Sequence, residues 1–335
     1  MKFYEPINYK KHIDTIETQV AIKTLKDTFE KSLAKELHLV RVSAPLFVLN
    51  TSGLNDNLNG IENPVSFTIK DIEGKNVEIV HSLAKWKRMA LARYGLSPRQ
   101  GLYTDMNAIR KDEELSNFHS IYVDQWDWEL IITKEDRNIK FLKNIVSKIF
   151  SVFKRIEDTV LERYPSLPPQ LPEEIKFITS QELEDMYPSL APNEREYEIT
   201  KKHRAIFVMQ VGKPLGSGTV HDNRAPDYDD WELNGDIILW CNVLEKPMEI
   251  SSMGIRVDEN SLKKQLHIAD KEDRLQLDFH KQLIEGKLPL TIGGGIGQSR
   301  LCMFFLQKAH IGQVQAALWD NETIKRCEQY GITLL

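Results

Sequence analysis

The sequence predicts an α+β fold, an antiparallel-rich mixed central β-sheet flanked by helices. Three observations carry that expectation. Extended segments outnumber the βαβ crossovers that would be needed to join them in parallel, most of them come in hairpin-like pairs, and two long amphipathic helices supply apolar faces to cover a sheet. The 335 residues are 41% hydrophobic and 28% charged, enough apolar material for a substantial core. The whole chain, 1–335, reads as a single domain.

Apolar residues recur every three to four positions over 13–37 (Ile13, Ile16, Val20, Ile22, Leu25, Phe29, Leu33, Leu37), which predicts one long helix. Residues 42–49 read as a strand, with Pro45 at an edge or strand start because it has no N–H to donate. Short β-rich runs at 65–69 and 77–81 flank the turn Glu73-Gly74, and a helix follows over 83–94. Segments 102–110 and 121–132 bracket the polar stretch Lys111-Asp112-Glu113-Glu114 as an antiparallel hairpin. A second long helix covers 136–163, its stripe made by Ile139, Leu142, Ile145, Ile149, Ile156 and Val160. Pro165, Pro168, Pro169 and Pro172 then form a loop. Further strands are expected at 175–179, 205–211, 237–243, 248–257 and 314–318, with helices at 182–187, 194–203, 262–268, 272–285 and 297–307.

Lys and Arg number 44 against 49 Asp and Glu, a formal charge of −5, so the chain lacks the general basic field of a nucleic-acid binder. No run of apolar residues is long enough to span a bilayer and the first residues lack a secretory apolar region, which predicts a cytoplasmic protein. Cys241, Cys302 and Cys327 fit neither a disulfide framework nor a zinc spacing and read as reduced and structural.

Several stretches have the composition of a site. In Ser120-Ile121-Tyr122-Val123-Asp124-Gln125-Trp126-Asp127-Trp128-Glu129, strand alternation puts Gln125, Asp127 and Glu129 on one face. That face is either solvated or a desolvated polar pocket able to hold an ammonium group. In His81-Ser82-Leu83-Ala84-Lys85-Trp86-Lys87-Arg88, Ser82 reads as a helix N-cap, and the helix start with Lys87 is an alternative anion site. The turn Asn55-Asp56-Asn57-Leu58-Asn59-Gly60 says little by itself. The acidic loop Asp227-Tyr228-Asp229-Asp230 is either solvated or suited to Mg²⁺. Thr291-Ile292-Gly293-Gly294-Gly295-Ile296-Gly297-Gln298-Ser299-Arg300 runs from strand-like sequence through glycines into a helix, where backbone approaches a ligand closely and Arg300 can reach a phosphate. Walker A, dinucleotide, His-Glu-x-x-His, Gly-x-Ser-x-Gly and Cys-x-x-Cys patterns do not occur.

Taken together, the first long helix with Pro45, Arg110-Lys111-Asp112-Glu113 with the following strand, and Gly293-Gly294-Gly295 to Arg300 resemble the three ordered signatures of class II aminoacyl-tRNA synthetase cores. Four blocks, 81–88, 122–129, 224–231 and 293–301, are more closely similar to the ammonia-dependent asparagine synthetases, the aspartate–ammonia ligases of bacterial type. The resemblance covers nearly the whole chain, with Ser299 standing where synthetases usually carry an acidic residue.

The resemblance implies a ligase that activates the aspartate side-chain carboxylate with ATP to β-aspartyl-AMP, releases pyrophosphate, and lets ammonia displace AMP. It implies that Arg110 and Arg300 serve catalysis and hold the nucleotide, with Ser120, Gly294 and Gly295 also on the nucleotide. Asp236 and Glu249 would carry Mg²⁺ and bridge to the phosphates. For aspartate, Gln125 and Asp127 would take the α-amino end, with Asp56 nearby. Ser82 and Lys87 would fix carboxylate oxygens, and Arg224, Asp229 and Ser252 would line the same pocket. Asp56 is also the candidate base for ammonia. The implied partners are aspartate, ammonia and ATP, with no nucleic acid or membrane, in a homodimer joined through the first helix and Pro45. The rival readings are a tRNA-charging synthetase, against which the roughly 40 residues before the first signature leave no anticodon-binding barrel, and a silent paralogue, against which both arginines and both acidic residues are retained.

Overall fold

The computed structural model describes residues 2–335 apart from 8, 57, 59–61 and 73. In chain order the strands are β1 Leu39–Arg41, β2 Phe47–Leu49, β3 Ser66–Thr68, β4 Asn76–Ile79, β5 Gly101–Ile109, β6 Tyr122–Ile131, β7 Lys176–Thr179, β8 Ala205–Met209, β9 Asp229–Cys241, β10 Lys246–Arg256 and β11 Thr291–Gly297. The helices are α1 Thr15–Leu37, α2 Ala84–Tyr94, α3 Ile139–Arg163, α4 Ser180–Met186, α5 Pro192–His203, α6 Glu259–Ile268, α7 Asp278–Ile284, α8 Gln298–Phe305 and α9 Asn321–Gln329.

Eight strands form one sheet in the order β1-β5-β6-β11-β10-β9-β8-β7. Its interior pairings are antiparallel, and only the outermost pairs, β1 with β5 and β7 with β8, run parallel. The mixed, antiparallel-rich α+β expectation therefore holds. A small sheet, β2-β4-β3, stands apart, and its β3–β4 pairing is the hairpin read at 65–81. Of that hairpin's turn, Glu73 lies outside the described residues.

Strand β6 shows how the sheet separates its faces. Trp126 and Trp128 are fully buried on the helix-covered side, where Phe29 of α1 packs on Trp126 at 4.5 Å between ring centroids and on Phe153 of α3 at 5.8 Å. Burying two indoles in one row removes more apolar surface than any other residue choice could, so this contact fixes α1 and α3 against the sheet. The residues between them, Gln125, Asp127 and Glu129, then necessarily face the other side.

Helix α1 begins at Asp14, whose carboxylate accepts from the Glu17 N–H at 2.8 Å, and buries Thr18, Ala21, Leu25, Phe29, Leu33 and Leu37. Ile16 and Val20, which the sequence places in the same stripe, are 75% and 41% exposed. In α3 the predicted stripe is buried from Leu142 on, with Ile139 half-buried, and Asn138 caps the helix on the Phe141 N–H.

Four predicted elements are corrected. Residues 42–49 are not one strand: β1 ends at Arg41, Pro45 stands outside any ladder, and β2 joins the other sheet. The expected strand at 314–318 is irregular chain after a 3-10 turn, Ile311–Gln313, and α9 follows it. The helix read at 272–285 is a 3-10 turn, Glu272–Gln276, broken from α7 by Leu277 in extended conformation. Gly293, Gly294 and Gly295, read as the passage from strand-like sequence into a helix, do not follow the strand but lie within β11, paired on both sides, and α8 starts directly after it at Gln298. The three cysteines are free and buried, as expected. Among the described residues, no helix is long and apolar enough to cross a membrane.

Candidate active site

On the sheet face away from α1 and α3, side chains from α2, β6, β10, the start of α8, the 110–120 connection and the 222–229 segment, with the glycine backbone of β11, surround a cleft of about 300 Å³. Its floor is the glycine strand. A Cβ on Gly293 would collide with the Glu129 carboxylate and stand 2.6 Å from the Arg256 guanidinium, and one on Gly295 would stand 2.5 Å from Gln125 Oε1 and 2.8 Å from Asp127 Oδ1. The glycines thus make room for protein side chains that lean across β11 from β6. As a result the amide oxygen of Gln125 and a carboxylate oxygen of Asp127 converge over Gly295.

The charges beneath them are compensated. Lys87 is fully buried, and its ammonium donates to the Gly294 carbonyl at 3.0 Å and meets Asp127 Oδ2 at 3.3 Å. Its next anionic neighbour, Glu129, is 3.9 Å away, beyond hydrogen-bond reach, and Lys87 lines the cleft. Burial lowers the Lys87 pKa, with Asp127 and Glu129 opposing. Arg256 forks onto Glu129 at 2.7 and 2.9 Å and also pairs with Asp229. Burial pushes Glu129 upward, but Arg256 leaves its carboxyl net below the ordinary range, whereas at Asp229 burial prevails and raises it.

The start of α2 departs from the sequence reading. Its N-cap is Leu83, not Ser82, and the Leu83 N–H donates to Asp127 Oδ2 at 3.2 Å. The anion at this helix start is therefore the chain's own Asp127 carboxylate. Ser82 is left to line the cleft.

Arg110 and Arg300 enter the same cleft. Arg110 donates to the His81 carbonyl at 3.2 Å, and Arg300 to the Phe118 and Glu249 carbonyls at 3.3 and 3.0 Å. Their convergence is felt by the groups beside them. Burial raises the Glu113 carboxyl while both guanidiniums pull it down, and burial together with both arginines holds His119 near pKa 3, hence neutral. Asp56 is buried at the rim, accepting from the Leu58 N–H at 2.9 Å, while Asn57, Asn59 and Gly60 of its turn lie outside the described residues.

Of the predicted site residues, Asp56, Ser82, Lys87, Arg110, Ser120, Gln125 and Asp127 all line this cleft, as do Arg224, Asp229, Glu249, Ser252, Gly294, Gly295 and Arg300. Asp236 does not. It stands behind Arg224, to which it is paired, with its Oδ1 buried and without a hydrogen-bond partner among the described residues. Burial pushes its carboxyl up to about 8, with Arg224 opposing and Glu249 and Asp222 adding to the rise. An orphaned carboxylate oxygen in a field of excess negative charge suits a divalent cation, and two protein carboxylates leave the other positions to phosphate and water, the usual habit of Mg²⁺.

The acidic loop at 227–230 is neither solvated nor a metal cradle. Asp227 is buried among Lys85 at 3.1 Å, Arg274 at 3.0 Å and His280 at 3.0 Å, Asp229 belongs to Arg256, and Asp230 to Arg137. Each carboxylate has its own cation, and together they pin the loop that carries Arg224 and Tyr228 against the cleft. Among the described residues no cluster of three metal-ligating side chains occurs. Arg256, His119 and Gln315 line the cleft without having been assigned a role from sequence. Arg256 lies in the strand expected at 248–257 and His119 directly before Ser120, so proximity was the only signal.

The sequence profile of the aspartate–ammonia ligases matches residues 16–331. The chain is 63% identical over 330 residues to an aspartate–ammonia ligase of Clostridium tetani, covering 98% of this chain and 97% of that protein. It is 62% identical over 331 residues to the one from Ruminiclostridium cellulolyticum, covering 99% and 98%. In fold it is similar to asparaginyl-tRNA synthetase from Entamoeba histolytica in complex with asparaginyl-adenylate (TM-score 0.62, 14% identity, 90% of this chain and 66% of that one). The corresponding complex from Pyrococcus horikoshii gives a TM-score of 0.60 at 15% identity over 91% of this chain and 70% of that one. The class II synthetase-like core expected from the three signatures is thus the fold observed.

Asp227→Asn is expected to cost about 3–5 kcal/mol at pH 7, because three buried cationic or donor groups lose their anion. The cations hold the Asp227 carboxyl well below the usual range, so its contribution is present above the unfolded pKa and is lost as pH falls. Chemical denaturation should show the gap from wild type narrowing by about 1.4 kcal/mol per pH unit below about pH 4. A gap that stays constant down to pH 3 would contradict the ion cluster.

Proposed function

The chain belongs to the aspartate–ammonia ligase family, and from that premise we propose that it makes asparagine by an AMP-forming route: ATP and the aspartate β-carboxylate give β-aspartyl-AMP and pyrophosphate, then ammonia displaces AMP. The observation that carries this reading is the joining of two unlike subsites in one cleft. One presents acceptors over Gly295 beside a buried lysine, and the other presents two guanidiniums.

In the first subsite, Gln125 and Asp127 accept from the substrate's α-ammonium, and Lys87 with Ser82 holds carboxylate oxygens. Asp127 Oδ2 is engaged by the Leu83 N–H and by Lys87, which leaves Oδ1, over Gly295, for the substrate ammonium. Arg224, Ser252 and Asp229 complete the wall, Asp229 acting through Arg256. In the second subsite, Arg110 faces the α-phosphate, where negative charge builds as the carboxylate attacks and where a preplaced guanidinium lowers the barrier most. Arg300, with Ser120 and the Gly294 and Gly295 backbone, holds the rest of the nucleotide. Asp236 and Glu249 would hold Mg²⁺, which supplies charge neutralisation for the phosphates.

No protein nucleophile is required, since ATP activates the carboxylate. Ammonia arrives mostly as ammonium, and Asp56, buried at the cleft rim, takes its proton. We also place the enzyme in the cytoplasm as a single catalytic domain over 1–335, working on small molecules without nucleic acid. A homodimer is favoured by the apolar groups left uncovered along one region of the chain. These are Ile16 and Val20 on α1, Val40 on the edge strand β1, and Leu46 and Phe47 just past Pro45, from 41% to 75% exposed. A monomeric mass in solution would refute it.

Incubation with aspartate, ATP, Mg²⁺ and ammonium, without tRNA, should yield asparagine and AMP in equal amounts. ADP in place of AMP, or no asparagine, would overturn the route. Asp56→Asn should lower the ammonia-dependent kcat by about 10²-fold or more while the KM for aspartate stays unchanged. Full turnover in that variant would remove Asp56 from the mechanism.

A further inference from the structure

Arg300 is preceded by Ser299, whose N–H donates to Asp124 Oδ1 at 3.0 Å and whose hydroxyl donates to Asp124 Oδ2 at 2.8 Å. Asp124 is paired with Lys26 of α1 at 3.0 Å, so it is an anion and accepts only. Gln315 completes this group: its Nε2 donates to Ser299 Oγ at 3.1 Å and lies 3.4 Å from Asp124 Oδ1. Because the carboxylate can only accept, the amide is held with its nitrogen toward Asp124. Its oxygen must therefore point the other way.

Gln315 is 4% exposed and lines the cleft, and its Oε1 is buried with no hydrogen-bond partner among the described residues. A buried acceptor of fixed polarity on a residue that lines a ligand cleft calls for a donor on the ligand. The surroundings say which part of the ligand. Arg300 donates to the Phe118 carbonyl, and the neighbouring Asn117 carbonyl takes the Ile311 N–H at 2.8 Å. Phe118 and Ile311 thus bring two of the cleft's apolar side chains to the Arg300 end, walls suited to a flat heterocycle.

We propose that Gln315 Oε1 accepts from the exocyclic amino group of the adenine base and so selects ATP over 6-oxopurine nucleotides. The assignment deepens the AMP-forming reading and rests on it. A 6-oxo base would set a carbonyl against the Gln315 carbonyl, two acceptors with no proton between them. A base lacking the 6-substituent would leave Oε1 unpaired. Discrimination comes from the polarity handed down from Lys26 through Asp124, not from the size of the pocket.

The test compares kcat/KM in asparagine synthesis for ATP, purine riboside triphosphate, inosine triphosphate and 2′-deoxy-ATP. In the wild type, purine riboside triphosphate should fall about tenfold below ATP, the worth of one buried hydrogen bond. Inosine triphosphate should fall further, and 2′-deoxy-ATP should lose less than purine riboside triphosphate. In Gln315→Leu the ratio of ATP to purine riboside triphosphate should collapse toward one, a change that loss of packing alone would not produce. Equal use of both nucleotides by the wild type overturns the assignment, and so does a ratio that survives in Gln315→Leu. A penalty that appears only with 2′-deoxy-ATP does so too, by moving the acceptor to the ribose. If Gln315→Leu does not fold, the wild-type order and Gln315→Met decide. Absence of AMP from ATP in the wild type would instead bring down the AMP-forming reading itself.

Discussion

Strand β11 has to be bare because three side chains of its neighbour lie across it. Glu129 crosses at Gly293, and Gln125 and Asp127 cross at Gly295, each close enough that a single methyl group would displace it. Everything at the amino-acid end of the cleft follows from that vacancy in side-chain space. Asp127 reaches the start of α2 and Lys87, Glu129 reaches Arg256, and Arg256 in turn reaches Asp229. A glycine strand is poor in intrinsic sheet preference, and here its pairing is secured from both sides by β6 and β10.

The second constraint is electrostatic. Buried carboxylates and cations are costly unless matched, and the fold matches them with residues far apart in sequence: Lys85, Arg274 and His280 for Asp227, Arg256 for Glu129 and Asp229, Lys26 for Asp124. The exceptions are informative. Asp236 keeps an oxygen without a partner among the described residues, and Lys87 stands in the cleft wall with Glu129 beyond hydrogen-bond reach. Both lie where phosphate-bound metal and a substrate carboxylate are placed by the proposed reaction. The matched groups make the scaffold, and the unmatched ones make the site.

Much of this was legible from periodicity. The long helices and the β5–β6 hairpin announce themselves through a mostly buried face, the β3–β4 hairpin through its turn signal, and the alternation through Trp126 and Trp128 already put Gln125, Asp127 and Glu129 together. The failures have local causes. Residues 42–49 are uniformly strand-like, yet the chain changes sheets at Pro45, which depends on tertiary partners. The glycines were placed after the strand rather than inside it because what they do here, admitting the side chains of another strand, depends on β6. The acidic loop looked solvated or metal-binding because its cations come from positions 85, 137, 256 and 274, and Asp236, expected at the cleft, stands one layer behind it. Gln315 sat in a segment misread as strand, and its polarity is set by Asp124, almost two hundred residues earlier.

The central claim is that Gln125 and Asp127 grip an ammonium group over Gly295. Calorimetric titration with L-aspartate and with succinate, which keeps both carboxylates and lacks the amine, isolates that contact. The account predicts succinate binding weaker by about 100-fold, since two desolvated acceptors, one of them charged, would be left without a donor. Binding of succinate within about threefold of aspartate would contradict it.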